Sequence, residues 1–106
     1  MSTLALVIPL VVAGDIRISA HGFRRLVAHS IKTKDAIVGI GGAEAIEDYP
    51  NYHAGPAVLC LQIDSTGAVI HVLSGLERST MRPVVLITAY RPDPARWSAD
   101  LRRRLT

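Results

Sequence analysis

The sequence predicts an α+β domain in which N-terminal helices pack on one face of an antiparallel β-sheet of three to five strands and a C-terminal helix closes the chain. Three observations lead there. Residues 56–91 hold three apolar runs, PAVLCLQI, GAVIHVLSG and PVVLITAY, divided by short polar breaks, which is the pattern of a β-meander. Two capped helical patterns precede the meander, and Asp93-Pro94 starts another after it. At 106 residues the chain is long enough for one core without staples, so residues 1–106 are read as a single domain.

The elements follow in order. Leu4 to Ala13 is almost wholly apolar and reads as a buried helix closed by Gly14 at the C′ position, with Pro9 kinking it or marking its first turn. Its Val and Ile content keeps a strand open as the alternative. The run is too short for a membrane span, which needs roughly 17 residues or more. No Lys or Arg precedes it as a signal peptide would require. DIRIS (15–19) alternates as a short edge strand. Ser19 is an N-cap for a helix from Ala20 to His29, with Phe23, Leu26 and Val27 as its buried stripe. Thr33 caps a second helix, Lys34 to Ile40, whose Ala36, Ile37 and Ile40 face inward before Gly41-Gly42 ends it. Residues 43–48 re-enter the sheet, and Tyr49-Pro50-Asn51 turns the chain toward the meander. Ser65-Thr66-Gly67 is a hairpin turn, and residues 76–82 make a looser connection. Pro94 to about Arg104 is expected to be helical, docked through Trp97 and Leu101, with Arg102, Arg103 and Arg104 at its C-terminal end.

Composition narrows the function classes. With 49% apolar and 20% charged residues, disorder is excluded and an ordinary globular protein is expected. The single Cys60 cannot form an internal disulfide, so a cytoplasmic location is the expectation. The net charge of +3 arises entirely after residue 53, where seven arginines face four acidic residues. Arginine's planar fork suits phosphate, which admits an RNA or DNA partner; a solvated basic surface is the plainer alternative. Gly39, Gly41 and Gly42 follow a helix and not a strand, the wrong context for a nucleotide-phosphate loop. His21, His29, His53 and His71 show no metal-ligand spacing, so neither metal nor cofactor is expected. Glu47 and Asp48 are strand neighbours and point to opposite faces, which rules out a matched acid pair. Cys60, in an apolar strand, is a small core residue.

His71 stands out because it interrupts the central apolar run. A buried imidazole must find hydrogen-bond partners or face an open site. Thr88 and Tyr90 share a face on the next strand, and a register setting His71 opposite Thr88 would bring all three together. Either His71 titrates in a cleft as acid or base, or it is a core histidine bonded to Thr88 or Tyr90. His21 and Arg25, four apart on a helix, share a face. Arg25 has Asp15, Glu47 and Asp48 as candidate partners besides phosphate, and Arg82 and Arg91 flank strand ends.

RISAHGFRR, SIKTKDAIVGI, AIEDYPNY, GAVIHVLSG and VVLITAYRP occur in that order over residues 16–92, and together they resemble the bacterial family known as domain of unknown function 4258. That family is similar in fold to the RelE-like and MqsR-like toxins, compact messenger-RNA nucleases often encoded beside an antitoxin. By position the resemblance implies functional roles for His21, Arg25, His71, Thr88 and Tyr90. It also marks two departures: Gly22 stands where an alanine is usual, and His29-Ser30 where a second basic residue is usual.

The expected function is therefore a toxin-like, metal-independent RNA endonuclease. His71 would be its acid or base with Tyr90 and His21 in support, while Arg25, Arg82, Thr88 and Arg91 would hold substrate. Its expected partners are RNA and an antitoxin protein. The alternative is a non-catalytic module on the same scaffold that binds a protein or forms a homodimer through the apolar N-terminal segment.

Overall fold

A computed structural model describes residues 2–105. Helix α1 (Thr3–Val12) leads into β1 (Ile16–Ile18), then α2 (Ala20–Ala28), α3 (Thr33–Val38), a 3-10 turn (Gly39–Gly42), β2 (Glu44–Tyr49), β3 (Ala57–Ile63), β4 (Val69–Leu76) and β5 (Val84–Tyr90). The five strands form one open sheet in the order β1-β5-β4-β3-β2. The meander is antiparallel as expected, but β1 runs parallel to β5, so the sheet is mixed. No hairpin turn joins β1 to β5: the helices and the first strands of the meander lie between them, and so long a connection permits the parallel pairing. No described helix is long and apolar enough to cross a membrane.

Strand alternation divides the sheet into two faces. Val58, Cys60, Ile70, Val72, Val84, Leu86 and Ala89 face the helices. α2 and α3 bring Leu26 and Ala36 onto the β4–β5 half, and α1 brings Val7 onto Val58, Cys60 and Val84. Leu4, Leu6, Ile8, Leu10 and Val11 pack half-buried around Val7, and Gly14 at φ +79° ends the helix at C′. Thr3 ties α1 to β2, its hydroxyl donating to the Asp48 carboxylate at 2.6 Å. Burial pushes the Cys60 thiol up to about 12, with Asp48 adding to it, so it stays protonated and inert. At the β3–β4 turn the Asp64 carboxylate accepts from Thr66 and Ala68 and pairs with Arg91 at 2.9 Å, which holds its pKa far below the usual carboxylate range.

Four expectations are corrected. Phe23 and Val27 are exposed, because α2 turns Gly22 and Leu26 inward; the phase is set by Gly22, which lets the helix lie directly on the Leu86 and Ile87 carbonyls. Thr33 begins α3 and does not cap it; Lys32 holds the cap position without a side-chain bond. Arg25 pairs with none of the three expected carboxylates: Asp15 takes Arg82, Glu47 takes Arg104 and Asp48 takes Thr3.

The fourth correction is the C-terminal helix, which does not form. Residues 93–105 make turns and one antiparallel bridge, Trp97 with Arg104, closed by Ser98 N–H to Arg103 O at 2.7 Å and Leu105 N–H to Arg96 O at 2.9 Å. A helix of about ten residues is marginal in water. It would also consume the Leu101 carbonyl in its own ladder, and that carbonyl is bonded elsewhere.

A Cβ on Gly22 would lie 2.6 Å from the Leu86 carbonyl oxygen, a backbone atom that cannot swing aside. Alanine is the better helix former by ~1 kcal/mol, yet overpacking costs ~1–3 kcal/mol. Gly22→Ala is therefore expected to lower the thermal midpoint, whereas Gly41→Ala, with open space at its Cβ, should not. A raised midpoint for Gly22→Ala would show that α2 stands farther from β5 than described.

Candidate nucleic-acid interface

The second face of the sheet carries Leu59 and Leu61 from β3, His71 and Leu73 from β4, and Thr88 and Tyr90 from β5, with Glu47 and Tyr49 from β2. His71 lies opposite Tyr90, not Thr88; the β4–β5 register slips by one residue between Leu73 and Ser74, and this slip puts Tyr90 where Ala89 would otherwise face the imidazole. The three still share a face, as the period of two requires.

His71 does not face an open site. It is completely buried, and both ring nitrogens are bonded: Nε2 lies 2.9 Å from the Leu101 carbonyl and Nδ1 3.2 Å from the Tyr90 hydroxyl. A carbonyl can only accept, so Nε2 carries the proton and Nδ1 accepts from Tyr90. Trp97 closes the remaining side, its ring edge-on at 4.5 Å between centroids. Burial lowers the His71 pKa, and Arg104 lowers it further, against the opposing pull of the Leu101 bond and Glu47. Burial likewise raises Tyr90. The pair thus resists both taking and giving a proton, so the role of His71 as an exposed acid or base is withdrawn for this arrangement of the chain.

Beside the sealed imidazole lies a cleft of about 230 Å³ lined by Tyr49, Tyr52, Leu59, Leu73, Thr88, Tyr90 and Arg104. All three tyrosines of the protein line it. Tyr49 and Tyr90 rise from the sheet, and Tyr52 comes over from the loop after β2. The Tyr49 hydroxyl donates to Glu47, which also receives the Arg104 guanidinium at 2.9 Å. Arg104 in turn stacks 4.7 Å above the centre of the Trp97 ring.

Tyr90 and Arg104 also border a second cleft, of about 300 Å³, whose other walls are Arg25, His29, Arg91, Asp93, Arg96 and Trp97. Four guanidiniums and one carboxylate thus meet at the end of β5. Arg91 is anchored there by Asp64, by the His29 carbonyl at 3.0 Å and by the Ser30 carbonyl at 3.2 Å. Together the clefts offer flat aromatic surfaces next to concentrated positive charge, which suits a planar ring joined to an anion.

Of the residues singled out from sequence, Thr88 and Tyr90 line the tyrosine cleft and Arg25, Tyr90 and Arg91 the arginine cleft. His21 is exposed at the start of α2 and lines neither. Arg82 sits at the far end of β5, paired with Asp15 at 2.7 Å, and takes no part. Tyr49, Tyr52, His29, Arg96 and Arg104 were missed. Only His29 left a signal, standing in the region where a basic residue was expected; Tyr49 is placed by the β2–β3 register, and Tyr52, Arg96 and Arg104 by loops whose path periodicity does not record.

Residues 18–91 match the family described as "Domain of unknown function (DUF4258)". No curated protein and no solved structure matches the chain. The matched span ends at Arg91, so Arg96, Trp97, Leu101 and Arg104 all come from outside it.

The lowered His71 pKa has a thermodynamic consequence. Below an unfolded value of ~6.5 the unfolded chain binds a proton that the folded chain refuses, so stability is complete above that pH and falls as the pH drops through it. His29, lowered by burial and by Arg25 and Arg91, acts in the same sense. The thermal midpoint should decline between pH 7.5 and 5.5, and ring 15N NMR at pH 6 should show His71 neutral with its proton on Nε2. A His71 found charged at pH 6 would overturn the description of its burial.

Proposed function

The chain belongs to the domain of unknown function 4258 family, and on that premise we propose that it binds single-stranded RNA across the open face of its sheet. The observation that carries the reading is the convergence of all three tyrosines on one cleft that runs on, through Tyr90 and Arg104, into a cleft walled by four arginines. Unpaired bases offer a π-face to any aromatic ring, and each stacked base contributes ~1–3 kcal/mol without regard to sequence. The backbone phosphates of the same strand require cations spaced alongside, which the arginines supply. The toxin-like role, with an antitoxin as protein partner, belongs to the same proposal and draws on the resemblance to the RelE-like and MqsR-like fold.

Cleavage is the second reading, favoured by the hydrogen bond between Tyr90 and His71. Attack by a 2′-hydroxyl on its own phosphate needs a proton taken from that hydroxyl and one delivered to the leaving 5′-oxygen. Tyr90 is the titratable group that both lines the tyrosine cleft and touches His71, so it, and not the imidazole, is the side chain that meets RNA. The opposed pKa directions of the pair make cleavage slow unless the C-terminal segment moves. Binding is therefore the leading reading.

The test is fluorescence anisotropy with a short labelled oligoribonucleotide. Tyr52→Ala removes one stacking surface from a loop and is expected to weaken binding by ~5-fold or more, leaving the thermal midpoint unchanged. Affinity should fall steeply with added salt. RNA binding that is absent at low salt, or indifferent to both Tyr52→Ala and Arg104→Ala, would end the proposal. For the second reading, Tyr90→Phe should lower any chelator-resistant cleavage by ~100-fold and leave binding nearly intact; cleavage that survives Tyr90→Phe removes Tyr90 from the chemistry.

A further inference from the structure

The arginine cleft contains an uncompensated donor. His29 closes α2, and its Nδ1 accepts from the Arg91 backbone N–H at 3.2 Å. Its Nε2 lies 2.7 Å from the Arg25 guanidinium. An amide and a guanidinium can only donate, while a neutral imidazole has one accepting nitrogen and a charged one has none. In every protonation state at least one N–H of this trio therefore points at a group that cannot receive it. Leaving a half-buried donor unmatched is costly, and the cost is largest for a charged group.

The neighbouring charges sharpen the point. Arg91 and Arg104 are committed to Asp64 and Glu47 at 2.9 Å each. Arg25 has no carboxylate within ion-pair distance among the described residues, and Arg96 meets only Asp93, at 3.9 Å and largely in solvent. Two guanidiniums, one on α2 and one on the C-terminal segment, thus border the same cleft with a single carboxylate, Asp93, that meets Arg96 only at long range and Arg25 not at all.

We propose that this cleft is a phosphate subsite in which Arg25 and Arg96 grip the anion from opposite walls, with Trp97 and Tyr90 as its sides. A terminal phosphate carries three acceptor oxygens and a backbone phosphodiester two non-bridging ones, in either case set tetrahedrally and not in one plane. Either can serve two forks at once and take the surplus N–H of Arg25, whereas a planar carboxylate faces a single fork. As the anion draws Arg25 off Nε2, the imidazole is left with one donor on Nδ1 and regains a consistent set of bonds. The subsite rests on the RNA reading for its source of phosphate, since it adjoins the tyrosine cleft at Tyr90 and Arg104; the phosphate comes either from a strand end or from the backbone.

The full chain is first titrated with inorganic phosphate, using sodium chloride at matched ionic strength as the control, and the Arg25 Nε–H and His29 ring signals are followed by NMR. Saturable shifts with phosphate alone, lost in Arg25→Gln and in Arg96→Gln variants of unchanged thermal midpoint, are expected. Oligoribonucleotides with and without a terminal phosphate are then compared by anisotropy. A gain of ~10-fold for the phosphorylated strand, or ~1.4 kcal/mol, that vanishes in Arg25→Gln assigns the subsite to a strand end; an equal loss for both strands assigns it to the backbone. If inorganic phosphate gives no saturable shift and the double variant binds RNA like the parent, the subsite is overturned while the RNA reading stands. Phosphate shifts that persist in a protein showing no RNA affinity would keep the subsite and remove the RNA reading.

Discussion

A single buried imidazole imposes the constraint on which the open face of this molecule depends. His71 sits in the centre of the sheet, out of reach of water, and a ring so placed needs a partner for each nitrogen. One comes from the neighbouring strand as the Tyr90 hydroxyl. The other cannot come from the sheet, whose carbonyls are engaged in its ladders, and is supplied by Leu101. The C-terminal segment must therefore cross back over the sheet, and it does so as a tight loop that keeps one carbonyl free.

The docking of that segment rests mainly on Trp97, which is nearly fully buried against the imidazole. Burying a large aromatic ring contributes a few kcal/mol, on the order of 25 cal/mol per Å² of apolar surface. The ion pairs of Arg102 with Glu44 and of Arg104 with Glu47 are partly exposed, where such pairs contribute only ~0–1 kcal/mol. Their effect is positional. They fix the register of the segment along β2, and Arg104 is thereby held between the two clefts.

Sealing His71 and building the arginine cleft are consequences of one event. The family match ends at Arg91, and the residues beyond it remove an imidazole from solvent while adding Arg96, Trp97 and Arg104 around the site. The face over β4 and β5 thus presents tyrosine rings and guanidiniums, with the imidazole beneath them. Uncovering the imidazole would mean withdrawing Trp97 and Leu101 together, since both rest on the same ring.

Local signals in the sequence determined much of the architecture. Alternation and turn chemistry marked β3, β4 and β5; Ser19 marked the start of α2, its hydroxyl accepting from Gly22 N–H as an N-cap should; Gly14 marked the end of α1. His71 stood out because a polar ring in an apolar strand conflicts with its surroundings. These features depend on neighbours within a few residues, which is why they could be read without a structure. What lay beyond reach were contacts between distant segments: the parallel β1, the inward turn of Gly22 that exposed Phe23 and Val27, and the loop that replaced a helix at the C-terminus. The gathering of Tyr49, Tyr52 and Tyr90 belongs with them. The sequence by itself determined which strands form and that His71 needs partners; only the tertiary structure decided that the Leu101 carbonyl would be one of them, because the competition between a helical ladder and a buried imidazole is settled by packing across thirty residues of chain.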